Sequence, residues 1–427
     1  MDRSVLHNSF IHSLITLLSG TVIAQAIPIL VSPLIARLYA PGDLGTLALF
    51  SALTAVLCVL ATCRLELVIP LVRTENEALR LLAGIGLLAL SVCTLLYVLL
   101  LLFCGPIAAA LHNPGLATWL WYLPLSVLAV SLYQALTYWF NRRRRYLEIA
   151  GSRVAQSAAA AAVQLVLGQL RAGAPGLLAG ALLGQFIALG RLAQLALRAG
   201  RHHLRPGFLL RCWAVLRRHR RFPLFMVPGQ MANVASLQVA VVLLSLCYGH
   251  AVAGYYALAE RVIIAPSAIV GTAVGDAFRQ HAAEQYRAHG NCRALYLRTS
   301  LMLAGFAALA FVVLAVGARW LFVLVFGAEW RAAGEIASVM AALMFFQILS
   351  SPLSQTVFLA KMQHLDMLWQ FGRLVAAAVG LLLGYWIWRD YMMSIALYVG
   401  ATCVMYCLHS MMQYRAACGV ADAGAPA

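Results

Sequence analysis

The chain has 427 residues, 63% of them hydrophobic and 11% charged, with 31 Lys plus Arg against 14 Asp plus Glu and a formal net charge of +17. A soluble domain carries about 25% charged residues, and a mean hydropathy of +0.86 over the whole length leaves no room for a large polar domain, so an all-α polytopic membrane protein is expected. Every cation except Lys361 is arginine, and they occupy the short gaps between apolar runs, as anionic membrane lipid and the positive-inside rule require; nucleic acid is thereby excluded as a partner.

A helix needs roughly 20 apolar residues to cross the bilayer, because every backbone polar group in lipid must be satisfied within the segment. That window predicts spans at 11–36, 44–63, 81–104, 119–139, 152–168 and 176–197, then at 224–247, 252–275, 297–316, 333–358, 370–388 and 391–412. The first contains Ala24-Gln25-Ala26, similar to a signal-peptidase site, but it runs on unbroken to Ile35 and is expected to be retained. The spans fall six and six about a basic stretch. This predicts a six-helix lobe over 1–197, a cytoplasmic linker over 198–222, and a second lobe over 223–427 ending in a short cytoplasmic tail.

The gaps alternate in charge. Those after spans 2, 4, 6, 8 and 10 hold Arg73 and Arg80, Arg142 to Arg145, a run of eight arginines from Arg198 to Arg221, then Arg279, Arg287 and Arg293, and Lys361. The others hold Arg37, Arg171, Arg319, Arg331 and Arg389 singly. Asymmetry of this kind in short loops orients a bacterial inner-membrane protein with both termini cytoplasmic. The ten cysteines form no C-x-x-C pair and read as inert thiols within apolar segments, without metal-ligand spacing.

The halves are weakly repeated. At an offset of 209, Gly20 meets Gly229, Tyr39 meets Tyr248, Gly45 meets Gly254, and Ala48-Leu49 meets Ala257-Leu258; Arg153 meets Arg373 at a slightly longer offset. The common element is a helix ending at Tyr, a five-residue turn, a Gly, and Ala-Leu opening the next helix. Two equivalent halves with substrate bound near the midplane is a transporter plan. Gly176, Gly180 and Gly184, with Gly380 and Gly384, form small-residue ridges expected to bring helices close.

Three motifs carry a resemblance. They are Ala-Arg-Leu-Tyr-x-Pro-x-Asp-x-Gly from Ala36 to Gly45, Arg-Leu-Glu-Leu-x-Ile from Arg64 to Ile69, and Phe-Gly-x-x-Trp-x-x-Ala-Gly from Phe326 to Gly334. With the twelve-span plan and its basic middle, the chain resembles the Wzx-type oligosaccharide flippases, polysaccharide biosynthesis proteins of the multidrug/oligosaccharidyl-lipid/polysaccharide exporter superfamily. The resemblance implies two six-helix lobes related by a pseudo-two-fold around a central cationic cavity. It also implies alternating access, an undecaprenyl-diphosphate-linked oligosaccharide as substrate, the polysaccharide polymerase machinery as a partner, and neither catalysis nor a cofactor. O-antigen or another surface-polysaccharide repeat unit is the implied cargo.

An arginine at bilayer depth is costly unless it faces a wet cavity or a partner, and guanidinium suits phosphate better than ammonium does. Arg261, well inside span 8, is therefore the first candidate for the diphosphate, against an ion pair that staples span 8 to a neighbour. Arg191 lies near the cytoplasmic end of span 6, and Arg153 and Arg373 open spans 5 and 11. Gln25, Gln230 and Asn233 either hydrogen-bond sugar hydroxyls or hold helices together. Arg37 flanks the turn that Asp43 is placed to cap. Arg64 and Glu66, two apart on a predicted helix, point in different directions, which favours gate contacts with other elements over mutual pairing. A proton or sodium gradient acting through Glu260, Glu66 or Asp276 would supply the bias. Two rivals remain. A glycan polymerase or glycosyltransferase needs periplasmic acidic residues, and here Asp43, Glu329 and Asp390 stand alone. A multidrug antiporter needs an acidic cavity, and here the deep charges are largely arginine.

Overall fold

The computed structural model describes residues 22–110, 119–200, 208–360 and 362–419. Among these the regular structure is helical: α1 (Val22–Leu38), α2 (Pro41–Thr62), α3 (Glu75–Ala110), α4 (Leu123–Arg142), α5 (Tyr146–Gln169), α6 (Ala174–Gly200), α7 (Phe208–Arg218), α8 (Arg221–Tyr248), α9 (His250–His289), α10 (Arg293–Phe326), α11 (Arg331–Ser350), α12 (Gln355–Leu359), α13 (Gln363–Trp388) and α14 (Tyr391–Ala417). Each predicted span has its helix. Nine of the described helical stretches are both long and apolar enough to cross a membrane. Of the remainder, α1 is described only from Val22, α5 is diluted by alanine, glutamine and serine, and α9 carries Glu260 and Arg261. A helix that cannot face lipid on all sides must put its polar face on protein or water.

Several helices overshoot their predicted ends. Span 81–104 is the 36-residue α3, and span 252–275 is the 40-residue α9. The apolar window measures the oil crossed, and the polar residues beyond it continue the same hydrogen-bonded ladder. The opposite correction falls on 333–358. That run breaks after Ser350 because Pro352 has no N–H to donate to the ladder, and α12 resumes only at Gln355.

The chain forms two compact units, Met1–Val234 and Ala235–Ala427. In the first unit, loops meet at opposite ends as the charge alternation requires. At one end Glu75, the first residue of α3, binds Arg143 at 2.8 Å and Arg142 at 3.5 Å at the end of α4, and Glu77 meets Arg218 and His219 at the end of α7. Arg142 also donates to the carbonyls of Ile69, Pro70 and Val72, closing the end of this arginine-rich face. At the other end Asp43 caps the start of α2, accepting from Ala40 N–H at 3.1 Å, and reaches across to accept from Ala174 N–H at 2.9 Å in the α5–α6 turn. Within the basic stretch, α7 lays Leu216 against Gly84 of α3 and presents Arg217 and Arg218 on its other side.

The second unit repeats this local construction. In the first, the Tyr39 hydroxyl donates to the Gln164 carbonyl of α5 at 2.6 Å, beside Gly168 and Gly176. In the second, Tyr248 donates to the Asp390 carbonyl at 3.1 Å and meets Ser394 Oγ at 2.6 Å, in the α13–α14 turn. Both turns open on a left-handed arginine, Arg171 and Arg389, at φ 53°. The repeated Leu49 and Leu258 are both buried. The small-residue ridges do bring helices close: a Cβ on Gly184 would lie 2.7 Å from the Gln156 carbonyl of α5, and one on Gly380 3.0 Å from the Leu397 carbonyl of α14.

Candidate functional site

Two groups of polar side chains lie at depth, one in each unit. In the first, α2 ends at Thr62, and Cys63 and Arg64 both take left-handed backbone, at φ 48° and 56°. The chain re-enters as a short 3-10 turn, Leu65–Val68. This reversal overturns the expectation that Arg64 and Glu66 point apart. The helix assumed for that reading is absent there, and Arg64 Nη1 pairs with Glu66 Oε1 at 3.4 Å. Arg64 Nη2 also donates to Gln230 Oε1 on α8 at 3.1 Å. Glu66 is fully buried, and its Oε2 has no hydrogen-bond partner among the described residues. The Tyr138 hydroxyl of α4 lies in the field of Glu66, Arg64 and Arg153, so the turn after α2 joins α4, α5 and α8 in one charged cluster. Asn233, half-buried, lies one turn beyond Gln230 on α8.

The remaining first-unit candidates lie elsewhere. Arg191 is exposed on α6 and donates to the Gly151 carbonyl of α5 at 3.1 Å, which makes it a fastening between those helices. Gln25 and Arg37 are exposed on α1.

In the second unit, α9 carries Glu260 and Arg261, both half-buried. Glu260 accepts from the Tyr256 hydroxyl, which lies 3.4 Å from the Tyr398 hydroxyl of α14. The charge beside Arg261 is its own neighbour Glu260, and among the described residues Arg261 makes no ion pair to another helix. The side chain of Asp276 lies outside the described residues.

Arg373 does not open onto a headgroup face. It is 6% exposed and bound on three sides: to Tyr406 at 3.0 Å, to Ser236 at 2.5 Å and to Gln370 at 3.1 Å, with its guanidinium 4.8 Å from the Trp369 ring. Such a group ties α8, α13 and α14 together.

Beside it lies a cluster that the sequence gave no reason to single out. His409 of α14 stacks on Trp369, 3.9 Å between centroids at 13°, and meets Ser350, Gln413 and Asp366. The residues come from α11, α13 and α14, far apart in the chain. The i, i+4 spacing of His409 and Gln413 was the one local signal.

A profile for the family described as polysaccharide biosynthesis protein matches residues 34–335. The chain belongs to that family. No curated protein sequence matches it, but solved structures do. Lipid II flippase MurJ, in its inward closed conformation, superposes with a TM-score of 0.69 at 13% identity, covering 93% of this chain and 86% of that one. A transporter of the multidrug/oligosaccharidyl-lipid/polysaccharide superfamily from Pyrococcus furiosus gives 0.60 at 13%, covering 94% of each. An inward-facing multidrug resistance MATE family transporter gives 0.55 at 12%, covering 93% of each. The family member described here is thus a multi-pass membrane protein with the two-lobe fold of these transporters.

Proposed function

We propose that this family member turns a polyprenyl-diphosphate-linked oligosaccharide over from the cytoplasmic to the periplasmic face of the bacterial inner membrane, by alternating access, with both termini cytoplasmic. The observation that carries the reading is the depth of Arg261. It lies eleven residues into α9, and at 1.5 Å per residue that is about 16 Å, near the middle of a hydrocarbon layer about 30 Å thick. A half-buried arginine at that depth, with no cross-helix ion pair among the described residues, is costly unless an anion or water visits it. A diphosphate is such an anion, and its two phosphates suit the fork of a guanidinium.

The charge balance argues against a cationic drug as substrate. Each deep carboxylate, Glu66 and Glu260, has an arginine beside it, so neither cluster carries net negative charge. The cleft lined by Arg217, Arg218, Arg220 and Arg221, about 480 Å³, suits anionic lipid headgroups where α7 meets the membrane surface.

The test uses cells lacking their own flippase. Lipid-linked oligosaccharide should accumulate on the cytoplasmic face without this protein and disappear from it when the protein is supplied. Arg261→Ala should insert at normal level and restore less than about a tenth of the surface glycan, the loss of one charged contact of roughly 1.5–3 kcal/mol. Full restoration by Arg261→Ala would remove that residue from the site. Short unpolymerised chains outside the cell when this gene alone is deleted from its own host would point to a polymerase instead.

A further inference from the structure

In the second unit, a groove of about 520 Å³ runs between α11 and α14. Phe346 and Leu349 form its α11 wall. Cys407, Met411 and Tyr414 form the other, at the i, i+4, i+7 spacing that keeps side chains on one face of a helix. Both helices are long and apolar enough to cross the membrane, so the walls stand in oil. The groove differs from the bare outer face of α10, where Leu301 and Val316 project at 74% and 82% exposure. Phe346, Leu349 and Cys407 are half-buried. A projecting ridge is brushed by any lipid tail, whereas a trough holds one chain on two sides.

The groove ends in positive charge. Arg415 lines it, and Arg293, the first residue of α10, holds its guanidinium 5.7 Å from the Tyr414 ring. Three hydrogen bonds fix this corner. The Tyr296 hydroxyl donates to the Ser410 carbonyl at 3.1 Å, the Tyr286 hydroxyl of α9 to the Ala416 carbonyl at 3.2 Å, and Cys292 N–H to the Ala417 carbonyl at 2.8 Å. Both arginines are exposed, and among the described residues neither makes an ion pair. Arg142, Arg143, Arg145 and Arg218 in the first unit each face a glutamate instead. This corner is short of an anion.

Length limits what can fill the groove. From Cys407 to Arg415 is eight residues, about 12 Å of helix. That is most of one half of an oil layer about 30 Å thick. The matching occupant has a chain that stops near mid-bilayer and an anion at the leaflet surface. We propose that the groove binds one anionic phospholipid from the leaflet bordering the arginine-rich gaps, with an acyl chain between α11 and α14 and its phosphate on Arg293 and Arg415. Guanidinium groups hold phosphate oxygens through charge-assisted hydrogen bonds, and basic pockets between helices at this level take up lipid headgroups. A zwitterionic lipid carries the same phosphate but brings its own cation to a corner that already has two. A long prenyl chain would run past the blind end at Cys407. The site does not depend on what the protein transports.

The experiment uses the full-length protein in detergent micelles with a trace of phosphatidylglycerol that bears a diazirine in one acyl chain. After illumination, label is expected on peptides containing Phe346, Leu349 or Met411. Unlabelled phosphatidylglycerol should displace it, and phosphatidylcholine should not. Arg415→Gln and Arg293→Gln should each weaken the apparent affinity about five- to tenfold, as one contact to phosphate is lost. Met411→Trp should fill the groove from its open side and abolish labelling of α11, while Val316→Trp on the bare face of α10 should leave it unchanged. Arg293, Arg415 and Met411 are all exposed, so these variants leave the packed interior alone. Label spread evenly over the apolar helices, phosphatidylcholine competing as well as phosphatidylglycerol, or labelling unaltered in both arginine variants would overturn the proposal. Displacement by undecaprenyl phosphate at lower concentration than by phosphatidylglycerol would give the groove to a prenyl lipid and overturn it too.

Discussion

Arginines that look alike in the sequence have different employments in the fold. Arg373 spends its donors on Tyr406, Ser236 and Gln370, whereas Arg261 is half-buried beside its own neighbour Glu260. Replacement by lysine separates the two. Arg373→Lys should lower the melting temperature of the detergent-solubilised protein, because one compact ammonium cannot serve three partners set around a planar fork. Arg261→Lys should leave melting unchanged within error and weaken transport. The buried Glu66 makes a second contrast. Arg64→Leu strands its carboxylate and should cost about 3–5 kcal/mol, while Arg64→Leu with Glu66→Leu together should cost less; equal losses would show that the pair does not hold the turn. The sequence named both residues but not their pairing, since nothing in Cys63-Arg64 announces two successive left-handed residues without glycine.

Helices were the most readable level, because a run of apolar residues has one stable solution in lipid. What that rule cannot see is how far a helix continues into water, or where one proline stops it, and α9 and the α11–α12 break mark those two failures. Close approach is a property of elements too. Gly384 of α13 faces the backbone and side chain of Ser394, where any Cβ would overlap both, while Gly400 of α14 has open space around it. Gly384→Ala should therefore reduce the yield of folded protein by size-exclusion chromatography, and Gly400→Ala should not.

For the molecule as a whole, the weak sequence repeat proves informative. Tyr39 and Tyr248 each hydrogen-bond a helix pair near its turn, and Arg171 and Arg389 each open that turn. Tyr39→Phe and Tyr248→Phe should therefore destabilise by similar amounts, about 1 kcal/mol each for one hydrogen bond, measured by thermal melting. A large inequality would mean that the repeat is not mechanical. The site was less legible than the scaffold, since residues such as His409, Ser350 and Asp366 meet only through tertiary packing, and no spacing along the chain foretells that.

The length of α9 has a mechanical meaning. At 40 residues it is about 60 Å long, twice the thickness of the oil, and its last third, with Arg279, Glu284 and Arg287, is too charged to remain there. A single rod thus joins the arginine at mid-depth to a wet outer shaft. Torque applied to the shaft turns Arg261 through the same angle, so a grip on this spar outside the oil would steer a residue that it never touches.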